Sequence, residues 1–428
     1  MRSVSGWVVG YGASVLADQV FFLALTWAAL QVGTPSEVGL VLAAGSIPRL
    51  LILLVGGTFA DARSPKRIII GADGGRALVM AAAGVALTIG SMNISGLVVV
   101  ALAVGALDGL FLPAVAALPV RIAPSHLMGR VSAMRTVAQR VGVFGGGPLA
   151  GWLIYMYGPG AAFYGSAALF AISVGSLALV TVTPQPEKAD GDSATPTPAG
   201  QFPPARRRLL AAVRRIAART AEGLHTVRHD PVLRWLLILI GGMNFGFAGP
   251  FTAGIPLLAA AHGWGAHGAG LLIGAFGIGA AASGIALLFV QRVPHAGVVQ
   301  LVGVLFMGLA LAGVGTAATL PAAMAFALIV GLSSGLFGTV VYGLLLTAAP
   351  KAEVARVMAL LALTLDGVAP ISFLATGALS AALGATWPFL IGGLIIVAAT
   401  AAAATRPQLR SLELAEPVPP STDPAASP

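Results

Sequence analysis

Apolar stretches of twenty or more residues, separated by short polar connections, run along almost the whole chain. About 20 apolar residues carry a helix across the hydrocarbon core of a bilayer. The pattern predicts twelve such spans, at 7–31, 36–60, 67–90, 95–119, 131–156, 160–182, 232–258, 267–290, 297–318, 321–347, 355–380 and 384–404. They fall as six, a break, and six. Residues 184–204 in the break are rich in Pro, Ser, Thr and charge and read as a flexible linker. Beyond it Arg207, Arg208, Arg214, Arg215 and Arg219 alternate with Leu209, Leu210, Val213 and Ile216 at helical spacing. That spacing predicts a basic amphipathic helix lying on an anionic membrane face; a partner-binding helix is the alternative. The expected division is an N-terminal bundle (1–183), a cytoplasmic linker with the basic helix (184–230), a C-terminal bundle (231–405) and a disordered cytoplasmic tail (406–428).

Basic residues sort by side. Alternate connections carry Arg63, Lys66 and Arg67, then Arg121 and Arg130, the central segment, Arg292, Lys351 and Arg356, and lastly Arg406 and Arg410. The connections between them hold no Lys or Arg. By the positive-inside rule both termini and the linker are expected to face the cytoplasm, and the membrane expected is the cytoplasmic (inner) one. Met1 to Gly6 precedes a first span too long for a signal-peptide core, so that span is expected to act as an uncleaved anchor.

Composition agrees with lipid as the main solvent. Of 428 residues 57% are apolar and 9% charged, with 56 glycines, and the mean hydropathy is +0.92. Soluble domains are about 45–50% apolar and about 25% charged. The formal net charge of +9 lies between the spans and not on one soluble module, which argues against a nucleic-acid partner. With no cysteine, thiolate metal sites and cysteine nucleophiles are excluded, and the six histidines show no metal-ligand spacing. No cofactor is expected, and no phosphate-binding G-x-x-x-x-G-K-[ST] loop is present for ATP hydrolysis.

The halves also repeat each other at an offset of 226 positions. Gly109-Leu110-Phe111 matches Gly335-Leu336-Phe337, Ala123-Pro124 matches Ala349-Pro350, Arg130-Val131 matches Arg356-Val357, and Gly151 matches Gly377. Duplicated bundles bind substrate and coupling ion between the halves, near the midplane. The chemistry available there is scarce. An ionisable residue at the centre of a helix costs about 2.5–3.5 kcal/mol on insertion scales and so faces a cavity or a partner. Asp18, Arg49, Asp108, Arg140 and Asp366 qualify by depth; Arg49 stands twelve residues before Asp61, about 18 Å from that face. These five are the candidate proton and substrate cavity. Asp18 or Asp108 is the expected proton carrier, with Arg49 or Arg140 as its counter-charge. Asp73 and Arg76, one turn apart, are expected to pair with each other or with the adjoining loop. Trp27, Trp152, Trp264 and Trp387 fall near span ends as an interfacial belt. Phe21, Phe22, Phe111 and Tyr342 either line a cavity or pack against lipid and neighbouring helices.

The connection after the second span reads Gly57-Thr-Phe-Ala-Asp61-Ala-Arg63-Ser-Pro-Lys66-Arg67 and resembles the G-x-x-x-D-R-x-x-[KR]-[KR] signature of the major facilitator superfamily, with Ala62 after the aspartate and the arginine one place later. Further stretches resemble its drug and macrolide efflux branch, which includes siderophore exporters: the first span with Ser14 and Asp18, Pro113 to Gly151, and Glu222 to Arg234. The resemblance implies an all-α membrane protein of twelve transmembrane helices in two pseudo-symmetric six-helix bundles. It also implies that Gly57, Asp61, Arg63, Lys66 and Arg67 form a gating loop. Gly142, Gly147, Pro148 and Gly151 look like the helix-bend motif of superfamily antiporters, with simple helix packing as the alternative. The implied activity is export of a small, mostly hydrophobic molecule by alternating access with proton antiport. Its partners would be that small molecule, protons and membrane lipids, and the chain would act as a monomer. Uptake of a metabolite is the alternative, then a membrane-embedded enzyme or a receptor; no H-E-x-x-H or Ser-His arrangement supports an enzyme.

Overall fold

The computed structural model describes residues 2–60, 64–124, 127–181, 227–289, 295–348 and 354–411. Among them are twelve long helices: α1 (Arg2–Val32), α2 (Pro35–Ala60), α3 (Pro65–Thr88), α4 (Ile94–Ala117), α5 (Met128–Tyr157), α6 (Pro159–Ala178), α7 (Pro231–Ala261), α8 (Gly265–Phe289), α9 (Ala296–Thr316), α10 (Leu320–Ala348), α11 (Val354–Leu383) and α12 (Trp387–Ala404). No described residue lies in a strand. Eleven of the twelve are long and apolar enough to cross a membrane. The exception is α5, the least apolar of the set, which carries Arg130, Arg135, Arg140 and a glycine-rich middle. The linker with its expected basic helix lies outside the described residues up to position 226, as does the tail from 412. The first residues of the expected disordered tail are ordered: Pro407–Arg410 make a further helical turn, and Arg410 Nε donates to Ala404 O at 2.6 Å.

Local chemistry starts these helices where the sequence changes character. Pro35, Pro65, Pro159 and Pro231 open α2, α3, α6 and α7, where a missing N–H costs nothing. The Asn93 side chain accepts from Gly96 N, and Asp230 accepts from Val232 N and Leu233 N. Thr34 and Glu37 cap each other reciprocally at the head of α2, with Thr34 N donating to Glu37 Oε2 at 2.7 Å.

The helices pack in two bundles by one scheme. In the N-terminal half α1 packs on α5 and α6, α2 on α4, and α3 on α4 and α6. In the C-terminal half α7 packs on α11 and α12, α8 on α10, and α9 on α10 and α12, each pairing six helices later. Two pairs join the halves, α2 with α11 and α5 with α8. Both approach through glycines. A Cβ on Gly377 would lie 2.6 Å from Pro35 O and 3.0 Å from Gly39 Cα; one on Gly151 would lie 2.6 Å from Ala266 O and 3.0 Å from Gly270 Cα. Small residues let backbones come this close where no hydrophobic force drives helices together in lipid.

One helix departs from regularity. Pro250 opens a π-helical turn, Pro250–Gly254, within α7. Just before it the Ser372 hydroxyl is inserted into the ladder, accepting from Gly249 N at 2.8 Å and donating to Phe245 O at 2.6 Å. A polar side chain from α11 thus satisfies backbone groups that lipid could not. Beside the turn Phe247, Phe251 and Phe276 stack with ring centroids 4.3–5.7 Å apart.

Candidate functional site

The charges of the N-terminal half converge on Arg76, near the middle of α3. Its Nη1 donates to Asp108 Oδ1 at 2.6 Å and to Asp18 Oδ1 at 3.0 Å, and its Nη2 donates to Asp73 Oδ1. Asp73 lies one turn before Arg76 on the same face, as the i, i+3 spacing requires. Two hydroxyls hold Asp73 from other helices: Ser14 Oγ on α1 at 3.2 Å and Ser173 Oγ on α6 at 2.5 Å. The guanidinium carbon sits 4.2 Å from the Phe111 ring centroid and 4.6 Å from that of Phe170, so aromatic faces close the site above and below. Arg76 and Asp73 are fully buried and Asp108 nearly so, whereas the Asp18 side chain keeps 21% of its surface exposed.

Three carboxylates therefore surround one guanidinium, a formal excess of two negative charges. Buried charge of one sign without a partner is costly, and adjacent carboxylates relieve it by sharing protons. Beside the cluster lies a small recess, open on one side and lined by Phe21, Phe22, Leu42, Ser46, Arg49 and Asp108 among others. Its walls are mostly apolar, with Arg49 and Asp108 as the charged residues of the lining.

The other expected cavity residues make no ion pair with the Arg76 cluster. Arg49 pairs across the halves with Asp366, Nη2 to Oδ1 at 3.7 Å. Arg140, half-buried on α5, makes no ion pair with a described residue, and its neighbour Arg135 stacks 5.4 Å from the Tyr11 ring. Neither arginine expected as counter-charge holds Asp18 or Asp108; Arg76 does. That residue was legible by depth, since it stands eleven positions after Pro65 in a 24-residue helix. Its nearness to Asp73 in sequence concealed it. Phe111 is buried under Arg76, while Phe21 and Phe22 line the recess. The Tyr342 side chain is outside the described residues.

Of the expected gating loop, Asp61 and Arg63 fall outside the described residues, and Gly57 lies in the last turn of α2. Lys66 Nζ donates to Ala178 O at 2.9 Å and Val180 O at 2.6 Å, and Arg67 is exposed. The glycine-proline stretch of α5 divides between two neighbours. Gly142 faces Val15 and Leu16 of α1, whereas Gly147 meets Ile273, Pro148 meets Gly274 and Gly151 meets Gly270, all on α8. The stretch stays helical through Pro148.

Residues 7–365 match the family model of the Major Facilitator Superfamily. No curated protein sequence matches the chain. Among solved structures it is similar to a nucleoside transporter, with TM-score 0.69 and 12% identity over 95% of this chain and 99% of that one. It is also similar to a bacterial homologue of the human lysosomal transporter Spinster in an inward-facing, occupied conformation, with TM-score 0.67 and 12% identity over 95% of each. A third is a bacterial homologue of the iron transporter ferroportin in an inward-facing state, with TM-score 0.67 and 13% identity over 95% of this chain and 99% of that one.

Proposed function

The chain belongs to the Major Facilitator Superfamily, a multi-pass membrane transporter and not an enzyme, and on that footing we propose that it exports a small, mostly hydrophobic molecule in exchange for protons. The observation that carries the proposal is the cluster of Asp18, Asp73 and Asp108 on Arg76 at mid-helix, beside an apolar recess. A cluster with more carboxylates than cations takes up protons when closed off and yields them to a cation or to water. Asp18 and Asp108 are the carriers, because Asp108 lines the recess and the Asp18 side chain keeps part of its surface exposed, while Asp73 is sealed by Ser14 and Ser173. An apolar lining selects a hydrophobic cargo, such as a drug, an antibiotic or a siderophore-like molecule.

The positive-inside distribution supports insertion in the cytoplasmic membrane with both termini inside. The glycine contacts between the halves lie toward the opposite, outer end, which supports a conformation closed outward. Efflux draws on the likeness of the first span and the α5 stretch to exporters. Inverted membrane vesicles test the reading. Adding a hydrophobic drug to energised vesicles that contain the protein should collapse part of the pH gradient. Vesicles with Asp18→Asn and Asp108→Asn together should show no such response. A pH gradient that this double variant still dissipates on drug addition would end the proton-exchange reading; accumulation driven the other way would make the protein an uptake permease.

A further inference from the structure

The two arginines near mid-membrane are held differently. Arg76 is fully buried and locked by three carboxylates, whereas Arg49 and Asp366 leave 34% and 35% of their side chains exposed at a looser 3.7 Å. Arg49 Nε is nevertheless shut off from solvent and has no hydrogen-bond partner among the described residues. Arg49 also belongs to the recess that Asp108 lines, and its charge is within electrostatic reach of Asp18.

Backbone geometry explains how one arginine can serve both sides. Within the N-terminal half α2 and α4 touch at Gly45 and Gly105, where a Cβ on Gly105 would strike Gly45 O. One turn on, a Cβ on Gly109 would lie 2.9 Å from Arg49 O, so the Arg49 backbone rests against the residue next to Asp108. Arg49 and Asp108 line the same recess, so a change of side-chain rotamer is the movement that a transfer from Asp366 to Asp108 requires. Both helices of the cross-half pair are also weakened at this depth. Pro48, beside Arg49, leaves Ala44 O without its helical N–H, and Pro370 does the same to Asp366 O. The bundles can therefore part here without unfolding either helix.

We propose that Arg49 is an exchangeable counter-ion, paired with Asp366 while the outer end is closed and transferred to Asp108 and Asp18 when the halves part. The transfer deepens the proton-exchange reading and rests on it. Arg49 at the cluster stands in for a proton while the outer end is open, and its return to Asp366 on closing leaves the cluster to take a proton from the outer side, the direction that exchange for an exported molecule requires. The charged groups facing Arg49 are Asp108 on α4, Asp18 on α1 and Asp366 on α11; Arg76 on α3 stays in place.

The chain contains no cysteine, so two introduced thiols report without further substitution. Spin labels at Ser36→Cys in the first turn of α2 and Ala382→Cys in the last turn of α11, both exposed, measure the separation of the halves at the outer end in lipid nanodiscs. Asp366→Asn should raise the long-distance population at least threefold. Asp108→Asn should lower it, and should add nothing on top of Asp366→Asn, because Asp108 acts on closure only by competing for Arg49. In an Arg49→Gln background both shifts should vanish, and Arg49→Lys should restore their signs. Asp18→Asn replaces Asp108→Asn if the latter fails to accumulate. Shifts of one sign, or shifts that persist in Arg49→Gln, overturn the exchange. Distances are read without substrate or gradient, so absent proton flux in vesicles would sink the export reading while leaving these shifts intact. Proton-driven export by Arg49→Gln would do the reverse.

Discussion

At the depth where Asp18, Asp73, Arg76 and Asp108 meet in the N-terminal half, the C-terminal half has almost no charge. Asn244 and Ser334 stand 226 positions after Asp18 and Asp108, and α9, which occupies the place of α3, holds no charged residue at all. Phe247, the counterpart of Phe21, instead joins Phe251 and Phe276 in an aromatic stack. Yet the helix pairings of the two halves are the same. Packing and charge thus follow different patterns in the two halves: close crossings at small residues recur in both, whereas the ionisable cluster occurs in one. At that depth the C-terminal half contributes one carboxylate, Asp366, placed where it meets the other half.

The largest contrast should appear on removing a buried polar side chain from each half. Arg76→Met strips the only cation from three carboxylates, and breaking a buried pair costs about 3–5 kcal/mol. The variant should fail to accumulate in membranes or lose most of its thermal stability in detergent. Gln300 on α9 is equally buried, but neither amide atom has a partner among the described residues. Replacing an unsatisfied buried amide by an apolar group removes a desolvation cost, so Gln300→Leu should be neutral or stabilise by about 1 kcal/mol. Equal losses in the two variants would break the asymmetry.

Next in size is the effect on coupling. Asp108→Asn should slow proton-driven export at least tenfold, an effect of about 1.4 kcal/mol or more on the barrier. Ser334→Ala, at the matching place, should leave the rate within about twofold of the parent, a difference of under about 0.5 kcal/mol. Proton flux and substrate flux measured together would show whether charge is needed in both copies.

How much of this was legible beforehand follows from which forces act locally. The spans were, because a bilayer demands about 20 apolar residues at a stretch and the chain has few charges to blur them. The repeat was legible from Gly109-Leu110-Phe111 and its copy. Of the clustered charges only Asp18 and Asp108 stood out by depth, while Asp73 and Arg76 read as a local pair; the pairing was hidden, since partners lie on different helices and pairing depends on which helices adjoin. Arg49 looked like a partner for Asp18 and is held by Asp366, 317 positions away. The glycine-proline stretch of α5 looked uniform; only the packing reveals that Gly142 faces its own half and Gly151 the other.

A third experiment probes the likeness between the halves. A Cβ on Gly105 would strike Gly45 O, and one on Gly331, 226 positions later, would strike Phe276 O. Overpacking a close crossing costs about 1–3 kcal/mol. Gly105→Ala and Gly331→Ala should therefore lower thermal stability to a similar degree. A large loss in one and none in the other would show that the common pairing scheme hides different crossings.

The smallest expected effect concerns Lys66, whose counterpart at 226 positions is Arg292, outside the described residues. Lys66 Nζ reaches the carbonyls of Ala178 and Val180 at the end of α6, where the helix dipole is negative. A cation there contributes about 0.3–1 kcal/mol, and salt screens part of it. Lys66→Ala should cost about that much stability by thermal unfolding in detergent, less at high salt, and Lys66→Arg should restore it. The same contact bears on the gating loop, because it ties the start of α3 to α6 within one half. If Lys66 serves only as a cap, export by Lys66→Ala will fall in proportion to the folded protein present. A fall in turnover per folded molecule would instead give Lys66 a part in gating, through the start of α3 that it ties to α6.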